Sequence, residues 1–277
     1  MVVSGSEPVI TQPKQKPGMA VRCATWNVNS LRVRLSQVLD WLADKQPDLL
    51  ALQETKTPDE NFPAAEIEAA GYQVICSGQK TYNGVAILSR LSDSASDIVT
   101  DLPGLEDTQR RVLAASYGNI RLINLYVPNG SEVGSEKFRY KLDWLAALRV
   151  YLAGQLKEHD RLIVVGDFNI APEDRDIYDP VLWQDSVLAS PPEREAFQRL
   201  LDLGLSDAFR LFDQPAGTFS WWDYRAAAFR RNLGLRIDHI LISQALREVC
   251  TACAIDNAPR DLERPSDHAP VFADFEF

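Results

Sequence analysis

Along this chain short apolar runs alternate with stretches in which hydrophobic residues recur every three or four positions. The apolar runs predict strands at 21–26, 48–53, 72–76, 84–89, 111–116, 120–127, 161–166, 217–220, 237–243, 248–255 and 269–275, many continuous enough to be buried on both faces. Leu31, Leu35, Val38 and Leu42 fall on one helical face, as do Phe138, Leu142, Leu145, Leu152 and Leu156. Ser190-Pro191-Pro192-Glu193 has the form of a capping box with proline in the first helical turn, and Gly204 closes the helix, placing it at about 191–203. Helices alternating with strands, together with a hairpin turned at Asn83-Gly84, predict a layered α/β fold with mixed sheets, not a parallel barrel. Residues 1–19 are polar, carry three prolines and lack periodicity, so a flexible extension is expected there and a single domain over 20–277.

Composition adds exclusions. A chain of 277 residues, 45% hydrophobic and 25% charged, buries a core without disulfides or a structural metal. No apolar run approaches the roughly 18 residues of a membrane span, and the N-terminus lacks a secretory layout, so a cytoplasmic protein with no membrane partner is expected. Of four cysteines only Cys250 and Cys253 are suggestively spaced, and a lone pair inside a strand-like run reads as packing. A net charge of −10 argues against coating nucleic acid by bulk charge. A local basic face is available from Arg32, Arg34, Lys56, Lys80, Arg110, Arg111, Lys137, Arg139, Lys141, Arg225, Arg230 and Arg231.

The candidate chemistry lies where strands should end: Thr25-Trp26-Asn27-Val28-Asn29, Gln53-Glu54-Thr55, Asn124-Leu125-Tyr126, Gly166-Asp167-Phe168-Asn169, Arg236-Ile237-Asp238 and Ser266-Asp267-His268. One such case is a cap or a turn; six in one α/β chain point to a site. Glu54, Asp167, Asp267 and the amide oxygens of Asn27 and Asn169 are hard donors suited to Mg²⁺ or Mn²⁺, and three histidines are too few for a multi-histidine zinc centre. A hard cation held by carboxylates points to phosphoryl chemistry. Neighbours on a strand face opposite ways, so neither Asp238-His239 nor Asp267-His268 pairs internally, and Asp238 is expected to orient His268 across the fold. His239 and His159 read as structural or surface residues.

These blocks, with Leu52-Gln53-Glu54-Thr55-Lys56, Asn83-Gly84-Val85-Ala86-Ile87-Leu88, Gln109-Arg110-Arg111, Gly234-Leu235-Arg236-Ile237-Asp238 and Pro265-Ser266-Asp267-His268-Ala269-Pro270, resemble the signatures of the exonuclease III family of AP endonucleases. That family sits in the endonuclease/exonuclease/phosphatase superfamily, and the resemblance runs in order from about residue 21 to 277. It implies a DNase I-like, four-layered α/β sandwich: two packed mixed β-sheets flanked by helices, with a Mg²⁺-dependent site that accepts Mn²⁺. It implies a monomeric hydrolase of base excision repair. Its substrate would be double-stranded DNA, cut 5′ to abasic sites or trimmed from damaged or recessed 3′ ends.

By the same resemblance Glu54 matches the principal metal ligand, with Asn27, Asp167, Asn169, Asp267 and His268 around it. Tyr126, Asp167, Asn169, Asp238 and His268 match catalytic positions. Arg110, Arg111, Asn129, Trp221 and Arg225 match DNA contacts, Trp221 as a wall for an extruded abasic sugar, while Trp222 reads as core. Residues 173–189 are expected to border the pocket, and Asn29 stands where some relatives carry aspartate. The sequence leaves open one metal or two, and which of Asp167 and His268 holds the proton. The other readings are a phosphatase of the superfamily acting on inositol phosphates or sphingomyelin, and a DNA binder that has lost catalysis.

Overall fold

Successive residues of a strand face opposite ways, and this chain makes both faces apolar over most of its strands. The computed structural model describes residues 20–277, so the extension expected at 1–19 lies outside the described residues. One sheet comprises β1 (Ala20–Asn27), β2 (Leu49–Gln53), β3 (Gln73–Ser77) and β4 (Val85–Ser89), closed later by β13 (Cys250–Ile255) and β14 (Val271–Glu276). The second comprises β5 (Ser96–Val99), β6 (Val112–Tyr117), β7 (Ile120–Tyr126), β8 (Leu162–Asp167), β9 (Ser206–Asp207) and β12 (Asp238–Ile242). Their orders are β13-β14-β1-β2-β4-β3 and β5-β6-β7-β8-β12-β9. The pairs β1–β2 and β7–β8 are parallel among otherwise antiparallel neighbours, so both sheets are mixed. A short ribbon joins β10 (Trp221–Trp222) to β11 (Gly234–Leu235).

Three apolar layers hold the sandwich. Cys23, Ala51, Ile87, Leu122, Val165 and Ile240 fill the space between the sheets. Helix α1 (Leu31–Lys45) and helix α2 (Ala64–Ala69) cover the outer face of the first sheet, with Leu31, Val38, Trp41 and Ile67 against Trp26, Leu50 and Leu88. Helix α3 (Glu136–Glu158) and helix α4 (Pro191–Leu201) cover the second, with Trp144, Leu148 and Phe197 against Ile123, Leu125 and Val164. Each fully buried aliphatic side chain contributes roughly 1.5–3 kcal/mol of transfer free energy. The four-layered sandwich is therefore the fold.

Helix α4 starts with the capping box read from the sequence, Ser190 and Glu193 each serving the other's backbone. The strand expected at 217–220 begins instead at Trp221, because Ser220 turns its hydroxyl onto the backbone of Ile237 and Asp238. The edge strands β5 and β9 were not expected, since neither carries an apolar run. All four cysteines are free.

On the face between the sheets every central strand turns from apolar to polar toward one end. The series are Cys23, Thr25, Asn27 in β1; Leu49, Ala51, Gln53 in β2; Leu122, Asn124, Tyr126 in β7; Ile163, Val165, Asp167 in β8; and, running the other way, Ile242, Ile240, Asp238 in β12. Pairing aligns the ends: Asn27 is level with Gln53, and Tyr126, Asp167 and Asp238 lie level across three adjacent strands. The Gln53 amide donates to Thr25 Oγ1 (2.8 Å) and to Asn124 Oδ1 (2.7 Å), while Asn124 Nδ2 donates to the carbonyls of Leu52 and Ala86 (both 2.9 Å). This belt ties the two sheets together just beneath the polar end.

Candidate active site

Gly166 lets β8 deliver Asp167. A Cβ there would stand 1.9 Å from the Leu125 carbonyl oxygen of β7, and its φ of 142° is one that other residues avoid. Asp167 is 1% exposed, and its carboxylate accepts from Asn27 Nδ2 and from the Asn169 backbone N–H, both at 2.9 Å. Burial pushes its pKa up to about 7, with Asp238 and Glu54 adding to the rise and His268 opposing it. It therefore changes charge near neutrality.

His268 lies opposite, its Nε2 3.7 Å from Asp167 Oδ2 and its Nδ1 donating to Asp238 at 2.9 Å. The pairing expected from strand alternation is thus present. Burial works against the imidazolium, but Asp238, Asp167 and the Asp238 hydrogen bond outweigh it and raise the pKa to about 10. Ser220, fully buried and read from sequence as a plain strand residue, donates to Asp238 Oδ2 at 2.6 Å and fixes that carboxylate.

Glu54 follows the end of β2 with φ at 51°, a left-handed conformation costing a branched-Cβ-free residue about 1–2 kcal/mol and turning its carboxylate toward β1. It accepts from Asn27 Nδ2 at 2.9 Å and pairs with Lys56 Nζ at 2.9 Å. Burial alone would raise its pKa, but Lys56 and Asn27 bring it below the ordinary value. Burial, with Glu54 and Asp167 beyond it, pushes the Tyr126 hydroxyl far above the usual phenol range, so it keeps its proton. The Arg111 guanidinium lies 4.6 Å over the Tyr126 ring and donates to the Tyr126 carbonyl. Asp267 accepts from Asn29 Nδ2 (2.9 Å) and from the Trp221 indole N–H (3.1 Å). Asn29 Oδ1 in turn accepts from Lys56, linking the Glu54 and Asp267 sides of the cluster.

The donor set fits a hard divalent cation: buried carboxylates crowd together, and burial raises the pKa of one of them to about 7. Asn27 Oδ1 accepts from the Asn29 backbone N–H (3.0 Å) and its NH₂ bridges Glu54 and Asp167, so it also orients two of the carboxylates. Asn169 Oδ1 accepts from Asn129 Nδ2 (3.0 Å).

Three successive carbonyls after Asp167 are each held by a side chain. Lys141 Nζ donates to the Asn169 carbonyl (2.6 Å), His239 Nε2 to that of Ile170 (2.8 Å) and Arg194 Nε to that of Ala171 (3.1 Å). His239 Nδ1 accepts from Arg236 (2.9 Å), which puts the ring proton on Nε2; burial, helped by Arg236, takes its pKa down to about 3. Lys141, counted among surface cations from the sequence, is completely buried.

Trp221 is half-buried beside His268, with which it forms an isolated bridge, whereas Trp222 is fully buried in the core. The 173–189 segment borders this wall: Ile177 pairs with Leu235, which pairs with Trp221. Asn129 sits against Asn169, and Arg111 stays at the Tyr126 edge. Arg110 and Arg225 pair with Asp101 (3.1 Å) and Asp223 at the surface.

The sequence profile described as the Endonuclease/Exonuclease/phosphatase family matches residues 24–268. Exodeoxyribonuclease III of Haemophilus influenzae is 40% identical over 268 residues, covering 91% of this chain and 98% of that protein. A Neisseria 3′ phosphatase, solved with a product DNA hairpin, superposes with a TM-score of 0.90 at 48% identity, covering 93% of this chain and 100% of that one. An AP endonuclease from Archaeoglobus fulgidus gives a TM-score of 0.87 at 38% identity, covering 93% and 100%.

Proposed function

The chain belongs to the endonuclease/exonuclease/phosphatase family, and from that membership we propose that it cuts DNA 5′ to abasic sites and trims 3′ ends, leaving 3′ hydroxyls. It is a metal-dependent phosphodiesterase of the exodeoxyribonuclease III kind and a DNA repair nuclease. One observation carries the mechanism: the buried Asp167 carboxylate faces the His268 ring at 3.7 Å, and Asp238 holds that ring from its other nitrogen, the three forming a group able to hold a metal ion.

When bound, Mg²⁺, or Mn²⁺ in its place, neutralises charge on the phosphate and on the leaving 3′ oxygen, and Glu54 and Asp267 with Asp167 adjoining would hold it. His268 is charged at neutral pH and cannot act as base; it donates Nε2–H to a phosphate oxygen. Asp167 takes the proton of the attacking water, which its pKa suits. Tyr126 keeps its hydroxyl proton for a phosphate oxygen. Asn169 gives one amide hydrogen to the Val127 carbonyl (3.0 Å) and leaves the other for the nucleophile. Trp221 walls the space for a sugar without a base, whose extrusion costs least where pairing is already lost. Asn129 and Arg111 brace the backbone on the Tyr126 side. Residues 20–277 act as one domain, as a monomer in the cytoplasm; among the described residues no helix is long and apolar enough to cross a membrane.

The test compares a duplex with an internal abasic site and a recessed 3′ end, each in Mg²⁺ and in EDTA. Both are cut in Mg²⁺ alone; no cleavage of either brings back the phosphatase and binder readings. Trimming without internal incision confines the enzyme to 3′ ends and assigns the barrier to residues 173–189. Glu54→Gln is expected to raise the Mg²⁺ midpoint of cleavage at least about tenfold. An unchanged titration removes Glu54 from the ligand set.

A further inference from the structure

Lys141 and Glu193 form a buried ion pair that the mechanism above does not use, both side chains being 0% exposed. Lys141 stands on α3 and Glu193 on the first turn of α4. The ammonium has three protons and three acceptors: the carbonyls of Asn129 (3.1 Å) and Asn169 (2.6 Å), and the Glu193 carboxylate. The carboxylate also accepts from the backbone N–H groups of Leu188 (3.0 Å) and Ser190 (3.1 Å) and from the Ser190 hydroxyl. One ion pair thus joins the loop after β7, the loop after β8, the end of the 173–189 segment and two helices. Mutual attraction does not account for the pair, since burying two charges consumes about what their attraction returns; its work is to satisfy the Asn129 and Asn169 carbonyls and the Leu188 and Ser190 N–H groups.

We propose that Lys141, balanced by Glu193, is a positioning residue that holds Asn129 and Asn169 in their reactive arrangement. The two asparagines are already joined by a side-chain hydrogen bond of 3.0 Å, and Asn169 has a left-handed φ of 51° that its neighbours must enforce. Lys141 grips both through their carbonyls, so each side chain projects from a backbone fixed at the same ammonium. A single backbone shift would move the nucleophile's partner and the neighbouring DNA contact together. Arginine does not replace it: a planar fork cannot reach three acceptors that converge on one point.

The inference rests on the nuclease reading, and the experiment separates the two. Lys141→Met alone would leave the Glu193 charge buried and unpaired, so the informative variant is Lys141→Met with Glu193→Gln, which removes both charges. On a recessed 3′ end in Mg²⁺, kcat is expected to fall about 30- to 100-fold. KM for DNA should rise by less than kcat falls, since Asn129 shifts with Asn169, and the Mn²⁺ affinity read by electron paramagnetic resonance should stay near wild type, a pattern that general loosening does not produce. A folded double variant with kcat within about threefold of wild type, or with KM rising in step as kcat falls, overturns the proposal. If the double variant does not fold, folded Lys141→Arg gives the same discrimination, with kcat down about tenfold expected and wild-type kcat overturning it. Wild-type protein that cuts no DNA overturns the nuclease reading and this proposal with it; an active wild type beside an equally active variant overturns this proposal alone.

Discussion

Replacing Asp167 by asparagine is expected to lower kcat by about 10³-fold at pH 8 while DNA binding and the fold persist. The amide matches the carboxylate in size and still offers one oxygen to the Asn169 N–H, but it cannot take a proton from water. Stability should move the other way. A carboxyl whose folded pKa lies near 7, above its unfolded value, contributes stability that is complete below the unfolded pKa and is lost as pH rises through about 7. Above pH 7 the wild type therefore carries a buried charge that the variant lacks. The melting temperature of Asp167→Asn relative to wild type should climb between pH 5 and pH 9, followed by scanning fluorimetry beside single-turnover cleavage. Turnover near the wild-type rate at pH 8 removes Asp167 from the chemistry, and a melting difference independent of pH contradicts its raised pKa.

The second large effect belongs to Asp238→Asn and shows itself as a change in pH profile. In the wild type His268 stays charged until pH approaches 10, so the rate should rise through about 7 as Asp167 ionises and hold until His268 loses its proton. Removing the Asp238 charge removes the strongest interaction raising that pKa and leaves Asp167 and Asp267 against burial, so the imidazolium loses its proton at lower pH than in the wild type. Cleavage should fall about 10²- to 10³-fold at pH 8 and less at lower pH, with the alkaline limb moved to lower pH. Measuring kcat from pH 5.5 to 10 for both proteins decides it. A ratio that stays flat across the range would mean that Asp238 places the ring without setting its charge.

How much of this could be read from the chain depends on whether the deciding contact is local. The pairing of Asp238 with His268 was legible because alternation along a strand forbids the adjacent Asp–His pairs, and the polar ends of Asn27, Tyr126 and Asp167 interrupt apolar runs. The pairing of Arg225 with Asp223 is local too, two residues apart, and leaves the Arg225 side chain exposed. Lys141 was not legible. Its neighbours look like any amphipathic helix, and its partner Glu193 lies 52 residues on, already explained as half of a capping box. Ser220 was likewise hidden, since nothing in Phe219-Ser220-Trp221 says that the hydroxyl will turn to a carboxylate 18 residues away. The direction of the Asn27 amide is set by the Asn29 N–H, which fixes oxygen and nitrogen only once the backbone has turned at Asn29.

The polar ends of the two sheets have a consequence for the life of the protein before it is finished. Asn27 and Glu54 come with one sheet, Tyr126, Asp167 and Asp238 with the other, and His268 with the segment leading into the last strand. No partly folded chain, and no chain still emerging from its ribosome, holds a working set, although nearly all the reactive groups are already synthesised. The Gln53–Asn124 belt then acts as an interlock: the cutting edge exists only when the two halves have closed in register. An enzyme that breaks DNA is in this way kept harmless until it is whole.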